Sequence, residues 1–348
     1  MAGLATRSRA VMTDRKLGSQ LETFCSQYGI PLPFQTEFVR DGRNSRVCRI
    51  SHGTSRWILK NYHQPPGAKR DRLGTEYKFL AFLNDLAVTN IPQALGMDRA
   101  ALCALYSFLP GHRPDVVTAT HITQAANFIR TLNRFRDDSE ALKLPLAADA
   151  CLSWQEHLTL VDARIQRLMD MEPASEMDAE AYAFVKHYVQ PRWSVIHRSV
   201  LHTIASSDLM TPLPLAERIL SPSDFGFHNT LEYEGRISFV DFEYAGWDDP
   251  AKLICDFFCQ PELPVTLNQG LHFMEEILDE FTQPESIRRR VRALLPVHRL
   301  KWCCILLNEF RQEDRERRVH AGVQLEGLLS AQMRKAKMYF DEHLSELT

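Results

Sequence analysis

Ser221-Pro222-Ser223-Asp224-Phe225-Gly226-Phe227-His228-Asn229, followed shortly by Phe239-Val240-Asp241-Phe242-Glu243, is the stretch on which the fold turns. It interrupts a long run of helical periodicity. Residues 219–220, 231–233 and 236–242 are short apolar segments, and Glu234-Gly235 is a turn signal, so short strands around a loop are expected. On either side the apolar spacing is helical: residues 122–135, 154–171 and 179–193 before it, with an acidic, Pro- and Ala-containing linker between the last two. Residues 288–310 and 323–344 read as amphipathic helices after it. The chain beyond Thr118 is therefore expected to be mainly α, with one small β insertion holding two aspartates and an asparagine.

The first third reads differently. Residues 34–40 form a strand that leads into Asp41-Gly42-Arg43-Asn44-Ser45, and the alternation over 46–51 predicts a return strand. His52-Gly53-Thr54 turns the chain into Arg56-Trp57-Ile58-Leu59-Lys60, a third strand. A short helix over 21–28 precedes them, and 71–86 has helical spacing. Two further strands, 91–97 and 101–108, end at Leu109-Pro110-Gly111, where an inter-lobe hinge is placed. The expected fold is α+β and bilobal: residues 1–18 a frayed or disordered start, 19–110 a small antiparallel lobe for nucleotide, and 111–348 a larger helical lobe with the catalytic loop and acceptor site.

Transfer of a phosphoryl group needs a carboxylate to orient the acceptor hydroxyl and take its proton, and oxygen ligands for magnesium. Asp224 fits the first role; Asn229 and Asp241 fit the second. Taken alone, an aspartate five residues before an asparagine is usually a turn or cap. Gly42, Arg43, Asn44 and Ser45 can lay backbone N–H groups along phosphates, Lys60 ends the third strand, and Glu76 sits on the following helix. Either charge alone reads as a surface residue. The order glycine turn, lysine, glutamate, hinge, Asp-x4-Asn, Asp is far less common by accident.

Composition narrows the partners. With 41 basic and 44 acidic residues the formal charge is −3, too weak a field to suggest nucleic acid or a membrane surface. Eight cysteines include no C-x-x-C pair, which reads as reduced thiols. No apolar run has signal-peptide or membrane-span length. The expectation is a cytoplasmic protein acting on a small hydroxyl compound, with oligomeric state left open.

The chain resembles the aminoglycoside phosphotransferase and choline kinase superfamily from about Phe34 to Phe258. The resemblance is carried by Asp41–Ile50, Leu59-Lys60, Arg72-Leu73-Gly74-Thr75-Glu76-Tyr77 and above all Val240-Asp241-Phe242-Glu243-Tyr244-Ala245-Gly246-Trp247-Asp248-Asp249-Pro250-Ala251. It implies a protein-kinase-like fold, ATP and Mg2+ as cofactors, and a sugar, amino alcohol or aminoglycoside-like acceptor. It also implies adenine against the backbone of Tyr106 to Phe108. The family places its acceptor pocket among C-terminal helices, where His298, Arg299 and Lys301 stand, although such charges more often form a solvated helix face. Trp302 reads as core, and Asp249 as a cap before Pro250.

One departure bears on activity. The family's loop begins His-Gly-Asp and commonly has a histidine two residues after the aspartate; here those positions are Pro222, Ser223 and Gly226, and His228 is out of step. The first histidine braces the loop on an aspartate, for which Asp256 is the candidate. A nucleotide-binding pseudokinase with a regulatory role is therefore the alternative to an enzyme. Protein phosphorylation is disfavoured because Asp241 runs straight into Tyr244 to Pro250, with little room for an activation segment. Reading Asp224-Phe225-Gly226 as the protein-kinase magnesium triplet fails, since it puts Ser199 and Ile204 where the catalytic aspartate and the magnesium-binding asparagine belong.

Overall fold

The computed structural model describes residues 21–39, 45–64, 67, 70–320 and 327–345. Residues 1–18, and Gly42, Arg43 and Asn44 of the expected phosphate loop, lie outside the described residues. After α1 (residues 21–27) come β1 (Gln35–Val39), β2 (Ser45–His52), β3 (Ser55–Tyr62), α2 (Arg72–Asp85), β4 (Ala94–Asp98) and β5 (Cys103–Ser107). The strands form one antiparallel sheet in the order β1-β2-β3-β5-β4. The apolar run at the end of β3 is paired on both sides, Leu59 with Cys48 and with Leu105, which makes β3 the central strand and fixes Lys60 one residue further on. Asp71 caps α2 by accepting from Gly74 N at 2.8 Å. Buried Leu73, Glu76, Leu80 and Leu83 recur at helical spacing, so Glu76 lies on the buried face of the helix.

From Ala119 the chain is mostly helical: α3 (Ala119–Asn133), α4 (Trp154–Met169), α5 (Glu176–Phe184), α6 (Gln190–Thr203), α7 (Pro250–Cys259), α8 (Leu267–Leu278), α9 (Pro284–Leu306), α10 (Gln312–His320) and α11 (Leu328–His343). Two small hairpin-like pairs interrupt it, β6 (Ile219–Ser221) with β9 (Gly246–Asp248), and β7 (Thr230–Tyr233) with β8 (Arg236–Phe239). Two expectations shift. The helix expected over 179–193 is part of a longer course, α5 to α6, joined by a π turn at Val185–Val189; Pro191, which has no N–H to give, follows that turn. The strand expected over 236–242 stops at Phe239, because Asp241 has φ +69°, a left-handed conformation no strand continues through.

The main core runs without a break from the sheet into the helices, joining Tyr62, Leu80 and Tyr106 to Leu158, Ile254 and Leu294. A stack of phenylalanines lies within it: Phe128 on Phe239 at 4.1 Å between ring centroids, Phe257 on Phe273 at 3.9 Å, and Phe225 between these pairs. Phe225 anchors the loop that carries Asp224, with about 1.5–3 kcal/mol from burying a side chain of this size. All eight cysteines are free thiols. Among the described residues no helix is long and apolar enough to cross a membrane.

Candidate active site

Lys60, Glu76 and Asp241, far apart in sequence, meet. The Lys60 ammonium is buried and donates to Glu76 Oε2 at 2.7 Å and to Asp241 Oδ1 at 2.6 Å, with Glu243 Oε2 at 3.2 Å. Glu76 is fixed from both sides: Oε2 also accepts from the Tyr62 hydroxyl at 2.6 Å, and Oε1 accepts from Phe242 N at 3.1 Å. One carboxylate thus ties α2, β3 and the segment after Asp241 together. Burial works against the Lys60 charge, but Asp241, Glu76 and Glu243 outweigh it and hold the ammonium well above its ordinary range. Three carboxylates around one ammonium leave negative charge in excess. Burial, opposed by Lys60 and reinforced by Glu243 and Glu76, pushes Asp241 to about 7.

Asp224 and Asn229 sit on the loop between β6 and β7. Ser223 has φ +70°, and Asp224 N donates to Pro222 O at 3.1 Å, the geometry of a γ-turn of the rarer hand. Ser223 is pinned there, its N–H on Ser221 Oγ at 2.9 Å and its hydroxyl on Ala148 O at 3.2 Å. His228 Nε2 lies 3.1 Å from Asp224 Oδ1. Burial alone would raise the Asp224 carboxyl; His228 beside it more than compensates and holds it below the ordinary aspartate range. A methyl group at Gly226 would come within 2.9 Å of His228 Nδ1, so glycine is what lets the imidazole fold back onto Asp224. Asn229 donates Nδ2 to the Asp224 carbonyl at 2.9 Å, which leaves its amide oxygen for another partner.

Asp224, Asn229, Asp241 and His228 line one cavity of about 900 Å³ between the sheet and the helices. Ser45 is placed at the start of β2 with its hydroxyl on Glu243 Oε2 at 3.2 Å, so its side chain serves the lysine cluster. Tyr106 is buried with its hydroxyl 2.8 Å from that of Tyr62, and Phe108 follows the last residue of β5 under the guanidinium of Arg56. Asp256 is not turned to the Asp224 loop as a brace. Its Oδ1 takes Trp302 Nε1 at 2.9 Å, His298 Nδ1 at 3.2 Å and the Lys301 ammonium, and Lys252 approaches Oδ2 at 3.3 Å.

The solvated face read for His298 and Lys301 is corrected: both are buried, because the Asp256 carboxylate satisfies them inside. Trp302 is half-buried on the cavity wall rather than core. Asp249 caps α7 as expected, accepting from Ala251 N at 2.7 Å, and also takes Arg290 and His157 Nε2. His157 Nδ1 in turn lies 3.1 Å from His298 Nε2, so a buried chain of acid, imidazole, imidazole, acid joins the ends of α7.

Sequence reasoning missed three participants. Glu243 stands two residues beyond Asp241, a spacing that on extended chain returns to the same side and could have signalled it. His228 is four residues from Asp224 and was legible only as out of step with the family. Arg70 carried no signal, yet it donates to three carbonyls across the lobes, those of Glu243, Leu146 and Ala245 at 3.1–3.2 Å.

Compared with known proteins, residues 35–203 match the family described as phosphotransferase enzymes. No curated protein matches the chain by sequence. Among solved structures it is similar to a choline kinase from Cryptosporidium parvum (TM-score 0.55, 11% identity, 96% of this chain and 98% of that one). It is similar also to a spectinomycin phosphotransferase solved with ADP and spectinomycin (0.58, 12%, 91% and 98%) and to a choline/ethanolamine kinase family protein from Mesorhizobium loti (0.52, 16%, 94% and 98%). At these identities the likeness is one of fold: α+β, kinase-like, a small antiparallel sheet on a larger helical part, as the resemblance in sequence implied.

Proposed function

We propose, starting from a chain whose residues 35–203 belong to the phosphotransferase enzyme family, that it transfers the γ-phosphate of ATP to a hydroxyl of a small molecule in the presence of magnesium. The observation that supports this most is the contact of Lys60 with both Glu76 and Asp241, Asp241 lining the same cavity as Asp224 and Asn229. In a phosphoryl transfer most of the work is positioning and neutralising charge. Lys60, held from behind by Glu76, is the cation for the phosphates.

The donor set fits a magnesium ion: an amide oxygen of Asn229, the carboxylate of Asp241, and Glu243 Oε1, which is buried with no hydrogen-bond partner among the described residues. Such an ion would offset the charge of the phosphate oxygens and of this acidic cluster. Asp224 does the proton chemistry. Its carboxyl is ionised at neutral pH, Oδ1 is tied to His228, and Oδ2 is the oxygen left to take the acceptor's hydroxyl proton, a role contributing typically about 10²–10⁴ in rate.

The missing family histidine is what raised a pseudokinase as the alternative. The γ-turn at Ser223 and the His228 pair give the loop a different brace, which favours the enzyme. The test is ADP release by purified protein against a panel of hydroxyl compounds. Turnover that needs magnesium and is lost in Asp224→Asn supports the reading; turnover unchanged by Asp224→Asn removes the proposed base.

A further inference from the structure

The cavity walls have a charge balance unlike that of the chain. Among the described residues eleven lysines and arginines face seven aspartates and glutamates there, against 41 and 44 in the whole sequence. Part of that excess has a use at the lobe interface, where Arg70 holds main-chain carbonyls. Another part stands in the helical lobe: Arg164 and Arg167, one turn apart on α4, and Arg311 just before α10. Residues three apart share a helix face, so the two α4 guanidinium groups stand together.

This end is separate from the lysine cluster. The groups acting on Lys60 are Asp241, Glu76 and Glu243, whereas Arg167 is lowered by burial, then by Arg164 and Arg311, which outweigh Asp149 and Asp314. Most of the cations are answered by the protein: Arg164 bonds Asp149, Arg311 bonds Asp314 and Glu313, Arg318 bonds Glu309 and Lys301 bonds Asp256. At this end of the cavity Arg167 is not answered in that way. Its Nε donates to the carbonyl of Ala163 in its own helix at 3.2 Å, and it has no carboxylate within 4.0 Å among the described residues. Arg164 Nε is buried without a hydrogen-bond partner. Two guanidinium groups with N–H edges unspent, crowded by a third, form a site whose stable occupant is an oxyanion, which a planar guanidinium binds through paired hydrogen bonds.

We propose that this end of the cavity is the acceptor subsite and that it selects an anion, a small hydroxyl compound bearing a phosphate or carboxylate group held by Arg167 with Arg164 and Arg311. The proposal rests on the phosphotransferase reading above. A cationic acceptor such as choline would meet like charge here.

The experiment uses the full chain with Mg·ADP, titrated calorimetrically with glycerol, glycerol 3-phosphate, glycerate, glucose, glucose 6-phosphate and choline; ADP release from Mg·ATP is measured with the same compounds. At least one anion is expected to bind ten-fold or more tighter than its neutral twin and than choline. The phosphate and carboxylate arms tell which oxyanion is read. Arg167→Gln, at an exposed position that should leave folding intact, is expected to weaken that anion at least ten-fold while the KM for ATP stays within about two-fold. Neutral or cationic compounds binding as well as the anions would overturn the proposal. So would an Mg·ADP complex that binds no anion, or an Arg167→Gln effect that falls on ATP, which would assign the cluster to nucleotide phosphates. Failure to bind Mg·ADP at all would be a different result, and would remove the phosphotransferase reading on which the proposal stands.

Discussion

Replacing Lys60 by methionine keeps the length of the side chain and deletes its charge. The Lys60 ammonium has carboxylate oxygens at 2.6, 2.7 and 3.2 Å, and two of its three partners, Glu76 and Glu243, are all but inaccessible. At an effective dielectric of about 20, one such contact is worth roughly 5–6 kcal/mol before desolvation, most of which burial of the ions cancels. Deleting one member of a buried pair leaves the other charges uncompensated, a loss of about 3–5 kcal/mol. Lys60→Met should therefore lower urea-unfolding stability by that amount at pH 8.

The loss should shrink toward pH 6. Carboxylates deprived of the cation titrate higher in the fold than in the unfolded chain, so the folded state binds protons that the unfolded state does not, and stability falls as pH rises through that range. Adding Glu76→Gln to Lys60→Met should recover about 1–2 kcal/mol, since it removes one of the stranded charges. A loss below about 0.5 kcal/mol, the range of an ordinary surface substitution, or a loss independent of pH, would refute the picture of a buried, charge-linked lysine.

Other outcomes follow from the same geometry. Asp224→Asn should lower kcat by about 10²–10⁴ with little change in the KM for ATP, read from ADP release. His228→Ala removes the neighbour that holds the Asp224 carboxyl low, so the acid limb of kcat/KM should move to higher pH; an unmoved limb would mean the pair is structural only. Gly226→Ala, whose added methyl would press on His228 Nδ1, should reproduce that shift. Burial pulls His298 down to about 3 against an ordinary value of 6.5, so the unfolded chain takes a proton there first and stability should drain away as pH falls from about 6.5 toward 3, by up to about 5 kcal/mol. His298→Gln should flatten that slope in thermal melts taken across the range.

The strands of the sheet, the helix carrying Glu76 and the loop carrying Asp224 were legible because each rests on local pattern: alternation over 46–51, a 3.6-residue repeat over 71–86, turn signals around 222–235. Lys60, Glu76, Asp224, Asn229 and Asp241 were legible as residue types in a given order. What the order could not show was how the parts are braced. Ser223 reads as an unremarkable loop serine until its positive φ and its two hydrogen bonds are seen, and Asp256 reads as a brace for a histidine this chain lacks. His298 and Lys301 look like a solvated helix face because the carboxylate that lets them be buried lies over 40 residues away in sequence. The crowding of Arg164, Arg167 and Arg311 on one wall depends likewise on how α4 and the approach to α10 pack.

The central claim is tested most directly by a crystal structure of the full chain with magnesium and a non-hydrolysable ATP analogue. It should show the Asn229 amide oxygen and the Asp241 carboxylate on the ion, with Lys60 turned from Asp241 to the phosphates while Glu76 still holds it. A nucleotide seated elsewhere, or bound in this cavity with neither Asn229 nor Asp241 touching the ion, would contradict the account.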